Sequence, residues 1–179
     1  MKIIEAERTD LSAFFTYLER QLAENGVGEG PLFQPLSRTQ NTVGEQTRDK
    51  FSKGFDAEPG QPTWRKLWLV MDEQGRVKGH IDLRHHGGEH SFHRVLMGMG
   101  VDSSCRKLGL GQRLVNTVLA YCQAKPGIEW LDLNVLASNL PAQSLYLKCG
   151  FNIIGRTEDY YRIDGESVAE ISMTISTGS

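Results

Sequence analysis

The segment from residue 94 to residue 122 reads RVLMGMGVDSSCRKLGLGQRLVNTVLAYC. Its first eight residues form a mostly apolar run, which predicts a β-strand. From Leu110 onward, apolar residues recur at helical spacing and predict a helix that is buried along one broad stripe. The stripe comprises Leu110, Leu114, Val115, Val118, Leu119 and Cys122. A glycine-containing loop therefore joins a strand to a helix.

This loop has the features of a phosphate site. Arg106 and Lys107 precede Gly109 and Gly111 at the start of the helix. Helix N-termini present free N–H groups and a partial positive charge, and glycine lets the backbone approach an anion closely. The segment is neither a P-loop nor a dinucleotide fingerprint, because it lacks GKS or GKT and has no GxGxxG after the strand. An ordinary strand-to-helix turn is the alternative interpretation.

The rest of the chain predicts a mixed α/β fold in one domain spanning residues 1–179. We expect a central twisted mixed sheet of about six or seven strands, with helices on both faces. The strands are predicted near residues 2–6, 67–71, 77–84, 94–101, 130–135 and 151–156, and in a hairpin over 160–176 that turns at Asp164 and Gly165. The helices are predicted near 9–24, 43–55, 110–125 and 139–149, the second of them being the least defined by pattern.

The composition excludes several classes of protein. Twenty Lys and Arg against 22 Asp and Glu give a net charge of −2, which argues against a strongly basic nucleic-acid binder. No run of 18 apolar residues is present, so we expect no membrane span. The three cysteines are odd in number and widely spaced, which indicates no disulfide framework and favours a cytoplasmic location.

A second motif, NLPAQSLYLKCGF at residues 139–151, completes the pattern. With it, the sequence resembles the GCN5-related N-acetyltransferase (GNAT) superfamily. The loop matches the family signature R/Q-x-x-G-x-G/A at Arg106, Gly109 and Gly111, and the helix matches N-x-x-A-x-x-L-Y-x-K-x-G-F at every fixed position. The resemblance covers residues 65–175, and its ending is similar to that of bacterial members that acetylate small amines or peptide amines.

The resemblance implies that acetyl-CoA is the co-substrate and that the fourth and fifth strands splay apart to admit it. Residues 63–179 would form the acetyl-CoA-binding core, and residues 1–62 would lie on the acceptor side. Backbone groups of residues 106–111 would hold the pyrophosphate, and those of Met99 and Val101 would pair with the pantetheine. The complete implied set is Met99, Gly100, Val101, Arg106, Lys107, Leu108, Gly109, Leu110, Gly111, Asn134, Asn139 and Tyr146.

The implied reaction is direct attack of a primary amine on the acetyl thioester. Tyr146 would donate a proton to the leaving thiolate or only hydrogen-bond to it, and packing in the core is the alternative role for this side chain. Many relatives use a glutamate on the fourth strand as the base, but residues 94–100 contain no acid. The base therefore stays open among Asp82, Glu89, His93, Asp132 and water, and we include His93 with Tyr146 as a predicted catalytic residue.

All five histidines fall between residues 80 and 93. Their spacing permits a metal site, but two glycines interrupt it, so we predict an exposed turn and no metal. The predicted partner is a small-molecule or peptide amine, seated against residues 25–55, with neither nucleic acid nor membrane involved. A homodimer is left open. The alternative functions are a catalytically weak acyl-CoA-binding sensor and an acyltransferase that uses another acyl-CoA donor.

Overall fold

A computed structural model describes residues 1–178, whose strands form one seven-stranded sheet in the order β1-β2-β3-β4-β5-β7-β6. The strands are β1 (Lys2–Glu5), β2 (Arg65–Met71), β3 (Val77–His85), β4 (Arg94–Val101), β5 (Trp130–Leu136), β6 (Asn152–Ile163) and β7 (Glu166–Ser176). The helices are α1 (Leu11–Ala23), α2 (Glu45–Gly54), α3 (Leu110–Ala124) and α4 (Leu140–Lys148). Every strand pair is antiparallel except β4 and β5, so the predicted mixed sheet is confirmed.

Strand β2 shows why helices cover both faces of the sheet. Leu67 and Leu69 pack in the same core cluster as Phe14 of α1 and Phe51 of α2. Trp68, which lies between them, and Val70, which follows them, pack in a second cluster that contains the buried stripe of α3. Because successive side chains point to opposite faces, a strand covered on both sides is a continuous apolar run.

The splay between β4 and β5 is present as predicted. These two strands pair only from Arg94 opposite Trp130 to Leu96 opposite Asp132. Strand β4 then continues to Val101, and β5 continues to Leu136, without further pairing between them. The strands therefore meet at one end and diverge toward the N-terminus of α3.

A buried ion pair closes this meeting point. The Arg94 guanidinium donates to both Asp132 carboxylate oxygens, with Nε to Oδ2 at 2.8 Å and Nη2 to Oδ1 at 2.6 Å. The same guanidinium donates to Thr174 Oγ1 at 3.0 Å, and His86 Nε2 lies 2.9 Å from Asp132 Oδ2. The network therefore joins β4, β5 and β7 through a single carboxylate.

The end of the chain differs from the sequence prediction in one respect. The sequence predicts a strand at 151–156 and a new one from residue 160, whereas β6 runs without interruption from Asn152 to Ile163. An irregularity in its pairing with β7 falls between Thr157 and Tyr161, where Asp159 has a φ of 52°. A bulge thus takes up the extra residues without breaking the strand. The predicted turn at Asp164 and Gly165 is confirmed, since both have positive φ.

None of the helices described within residues 1–178 has the length and hydrophobicity that crossing a membrane requires.

The hydrogen bonds to Asp132 make the free energy of unfolding fall at acid pH. Burial alone would raise the pKa of Asp132, but hydrogen bonds from Arg94, Thr174 and His86 hold it below its ordinary value. A lowered folded-state pKa gives stability that is present above the unfolded value of about 3.9 and is lost as the pH falls through the folded pKa. We predict that Asp132→Asn loses less unfolding free energy between pH 6 and pH 3 than the wild type.

Urea unfolding at the two pH values measures this difference. Asp49→Asn removes the same charge from the exposed surface of α2 and is the matched control. An equal loss of stability in the wild type and in Asp132→Asn would contradict the prediction.

Candidate active site

A cavity of about 860 Å³ occupies the splay between β4 and β5. Residues 97–101 of β4 and residues 133–136 of β5 form its two strand walls. The beginnings of α3 and α4 close one side, and residues 31–35 cross the other. The cavity therefore connects the glycine loop of α3 with the opposite face of the sheet.

The loop before α3 forms the first end of the cavity. Gly109 is the N-cap of α3 with a φ of 75°, and Lys107 also has a positive φ of 64°. The first N–H groups of any helix have no partner within it, so those of α3 remain available to an anion at the cavity wall. A Cβ at Gly111 would lie 2.7 Å from Leu145 Cδ2, so a side chain here would require Leu145 of α4 to move.

Gly98 and Gly100 of β4 lie where a Cβ would crowd side chains of β3. A Cβ on Gly98 would lie 2.9 Å from Asp82 Oδ1, and one on Gly100 would lie 3.0 Å from His80 Cε1. Both glycines line the cavity as well. The absence of side chains there keeps the floor of the cavity open while the polar groups of β3 pack behind it.

Helix α4 places Tyr146 in the cavity wall. Asn139 caps the helix, with its Oδ1 accepting from the Ala142 N–H at 3.3 Å. Tyr146 follows two turns later, is buried, and packs edge-to-face on Phe151 with ring centroids 5.9 Å apart. Burial raises the pKa of Tyr146 well above its usual value of about 10. The phenol therefore stays protonated and can donate a hydrogen bond or a proton.

All of the predicted cofactor-binding residues except Leu108 line this cavity. Leu108 lies in the same loop and is 61% exposed. Asn134 lines the cavity on the β5 side, where its Oδ1 accepts from the Ser172 hydroxyl at 3.0 Å. Contact with a cofactor stays a prediction for each of these residues.

The structure places His93 away from Tyr146. His93 is exposed and lies directly before β4, where its carbonyl accepts from the Glu129 N–H at 2.8 Å. This is the closed end of the splay, because β4 and β5 are paired from Arg94 onward. His93 does not line the cavity, and its catalytic role stays a prediction.

The other candidate bases are also held elsewhere. Asp82 is buried in ion pairs with Arg65 Nη1 at 3.2 Å and Arg84 Nη1 at 3.0 Å. Asp132 is held by Arg94, and Glu89 lies in an exposed turn. None of the three acids lines the cavity, and the geometry of the first two is that of structural ion pairs.

The histidines are dispersed. His80 is buried against Tyr17 in the core, and burial lowers its pKa to about 4. The ring of His85 packs between those of Trp64 and Phe92, and Nε2 of His86 contacts the Asp132 carboxylate. Within residues 1–178, no three His, Cys, Asp or Glu side chains are grouped as metal ligands.

Sequence reasoning missed the residues that line the far side of the cavity. Tyr161 of β6 and Glu170 of β7 lie there with Phe33, and Gln21 of α1 and Arg84 of β3 complete this wall. One sequence signal was available, because the alternation along β7 puts the polar residues Glu170, Ser172 and Thr174 on one face. Helix α2, which was expected beside the acceptor, packs instead against β2 and does not line the cavity.

Asn25 holds the loop that covers the cavity. Its side chain is fully buried and donates to the Gln34 carbonyl at 3.1 Å. Its Oδ1 accepts from the N–H groups of Phe33 and Gln34 at 2.8 and 2.9 Å. Farther along the loop, Arg38 pairs with Asp164 and Glu166 at the tip of the β6–β7 hairpin. The loop is thus fixed at both ends over the cavity.

Comparison with known proteins agrees with this architecture. Residues 36–151 match the model of the Acetyltransferase (GNAT) family, and the chain therefore belongs to that family. The fold matches the structure of a GNAT superfamily phosphinothricin acetyltransferase (Pat) from Sinorhizobium meliloti in complex with AcCoA, with a TM-score of 0.80 and 14% identity. That match covers 99% of this chain and 88% of the other.

Two curated relatives are similar in sequence over shorter stretches. The L-amino acid N-acetyltransferase AaaT of Escherichia coli (strain K12) is 29% identical over 100 residues, which are 56% of this chain and 62% of the relative. The N-alpha-acetyltransferase RimI of Mycobacterium tuberculosis is 30% identical over 91 residues, which are 51% of this chain and 55% of the relative. The matches thus span less than two thirds of either relative.

The contacts of Asn25 generate a stability prediction. Asn25→Ala removes the buried hydrogen bonds that hold residues 33–36, and each such bond contributes about 0.5–1.5 kcal/mol net. We predict a loss of about 2 kcal/mol in unfolding free energy and faster amide exchange across residues 31–36.

Urea unfolding and hydrogen exchange measure these two effects. Asn41→Ala, at an exposed position of the same loop, is the control and should change the stability by less than about 0.5 kcal/mol. If the two variants were equally stable, the role of Asn25 as the anchor of the loop would be refuted.

Proposed function

We propose that this protein is an acetyl-CoA-dependent N-acetyltransferase that transfers an acetyl group to a primary amine of a small molecule or peptide. The observation that carries the proposal is the cavity that runs through the splay of β4 and β5, from the free end of α3 to the buried Tyr146 hydroxyl. The names of the relatives AaaT and RimI, which specify an amino acid and an N-alpha position, support an amine as the acceptor.

The wall residues fit the parts of acetyl-CoA in order. The N–H groups at the start of α3, with Arg106 and Lys107 beside them, suit a pyrophosphate. The edge of β4 at residues 99–101 faces an unpaired part of β5 and suits the amides of a pantetheine arm. Acetyl-CoA supplies the reaction with an activated thioester carbonyl, which an amine can attack.

The protein's own groups would orient and stabilise this attack. The two ends of the cavity hold the reactants on opposite faces of the sheet, and such orientation contributes several kcal/mol to lowering a barrier. A backbone N–H of β4, from Met99 or a neighbour, can polarise the carbonyl at the splay. Because the pKa of Tyr146 is raised, its hydroxyl can donate a hydrogen bond to the departing sulfur but is a weaker acid than the side chain of a solvent-exposed tyrosine.

The acceptor would enter from the face covered by residues 31–35. Phe33, Gln34 and Pro35 lie on this side, together with Tyr161 of the β6–β7 hairpin. The acceptor pocket would therefore be shaped by residues 31–35 and by the β6–β7 hairpin, which are distant in sequence. Loops and sheet edges of this kind can change in sequence without altering the core.

Tyr146→Phe tests the assigned role of the hydroxyl. We predict at least a tenfold fall in turnover at saturating substrates with little change in acetyl-CoA affinity, because the hydroxyl acts on the leaving sulfur and not on the bound ground state. Thiol release can be followed with a panel of L-amino acids, a peptide with a free N-terminus and spermidine as acceptors.

Tyr121→Phe removes a hydroxyl from α3, outside the cavity, and should retain wild-type turnover. Full turnover in Tyr146→Phe would show that the hydroxyl has no part in the reaction. Binding of acetyl-CoA without thiol release for any amine would instead favour a catalytically weak acyl-CoA sensor, and release with only a longer acyl-CoA would indicate another donor.

A further inference from the structure

Three acidic side chains are buried within residues 1–178, namely Asp82, Asp132 and Glu170. The first two are neutralised, Asp82 by Arg65 and Arg84 and Asp132 by Arg94. Glu170 forms no salt bridge with any group in this part of the chain, although its residue is only 8% exposed. Glu170 is thus the exception among the buried acids.

Among the described residues, Glu170 has a hydrogen-bond donor but no cationic group within salt-bridge distance. Its Oε2 accepts from the Tyr161 hydroxyl at 2.5 Å. Burial and the neighbouring carboxylate raise the pKa of Tyr161, so this phenol remains a donor. Tyr161 also packs against the small apolar cluster of Leu32, Leu136, Ile163 and Val168. A carboxylate kept in such a place without a cation carries a desolvation cost that a hydrogen bond offsets only in part.

The position of Glu170 indicates what would offset the remaining cost. Glu170 lines the same cavity as Tyr146, on the side that residues 31–35 cover. In the sheet it lies opposite Leu136, at the end of β5 beyond the splay. An ion that entered the cavity from the acceptor side would meet this carboxylate in an environment of low dielectric, where charge pairing is strong.

We propose that Glu170 is the docking group for the acceptor, which it binds through the ammonium ion that a primary amine carries at neutral pH, and that Tyr161 is a positioning residue that orients the carboxylate. This inference rests on the proposed N-acetyltransferase function. It assigns the acceptor to the class of cationic amines and docks the ammonium ion on the β7 side of the cavity, where it must give one proton to water before the neutral nitrogen attacks the thioester carbon. No residue of β4 is required for this recognition.

Glu170→Gln tests the proposal because it keeps the shape and the hydrogen bond from Tyr161 while it removes the charge. We expect the KM for the best amine of the acceptor panel to rise at least tenfold, with turnover at saturation within threefold of the wild type. The melting temperature without ligand should be unchanged or higher, because the uncompensated buried charge is gone. Stabilisation by acetyl-CoA should stay as in the wild type.

Two further variants complete the test. Tyr161→Phe should raise the same KM by a smaller factor, again without loss of turnover at saturation. Glu129→Gln, at an exposed site at the closed end of the splay, is the charge-matched control and should behave as the wild type. A rise in KM confined to the two cavity variants supports the proposal.

Three outcomes would overturn it. An unchanged KM together with a fall of several degrees in the melting temperature of Glu170→Gln would make the residue structural. A fall in turnover with an unchanged KM would make it a proton acceptor and not a docking group. A wild type that transfers acetyl to no amine would refute the proposed function itself. An active wild type and a Glu170→Gln variant with the same KM and turnover would refute only this inference.

Discussion

The single parallel contact in the sheet, between β4 and β5, is the constraint on which the rest of the molecule depends. It spans three residue pairs and ends at Asp132, where one carboxylate binds Arg94 and Thr174. Beyond it the two strands diverge, and the beginnings of α3 and α4 line the cavity between them. The cavity therefore opens where the pairing of β4 and β5 ends.

The cavity has two chemically different ends. On the α3 side, backbone N–H groups and basic side chains favour an anion, whereas on the β7 side Glu170 favours a cation. Tyr146 lies between them with its proton retained by burial. This polarity suits a reaction in which a phosphate-bearing donor and an amine approach from opposite faces of the sheet.

The sequence predicts the parts of the fold that local patterns determine. The stripe of α3 and the turn at Asp164 and Gly165 each depend on neighbouring residues, and the structure has both. The position of His93 outside the cavity could not be predicted, because the sequence does not show which end of β4 is paired. Glu170 was missed because its environment combines the nearby Tyr161 with residues 31–35, which lie more than 130 positions away, and the irregular loop that carries Phe33 has no periodicity to interpret.

The central claim is that the splay of β4 and β5 is an acetyl-CoA site, and a melting curve tests it most directly. At a hundredfold excess over the dissociation constant, a ligand stabilises the folded state by about 2.7 kcal/mol, which raises the melting temperature of a domain of this size by roughly 5–10 °C. The account predicts such a rise with acetyl-CoA and none with NAD or ATP at the same concentration. No rise with acetyl-CoA, or an equal rise with all three, would contradict it.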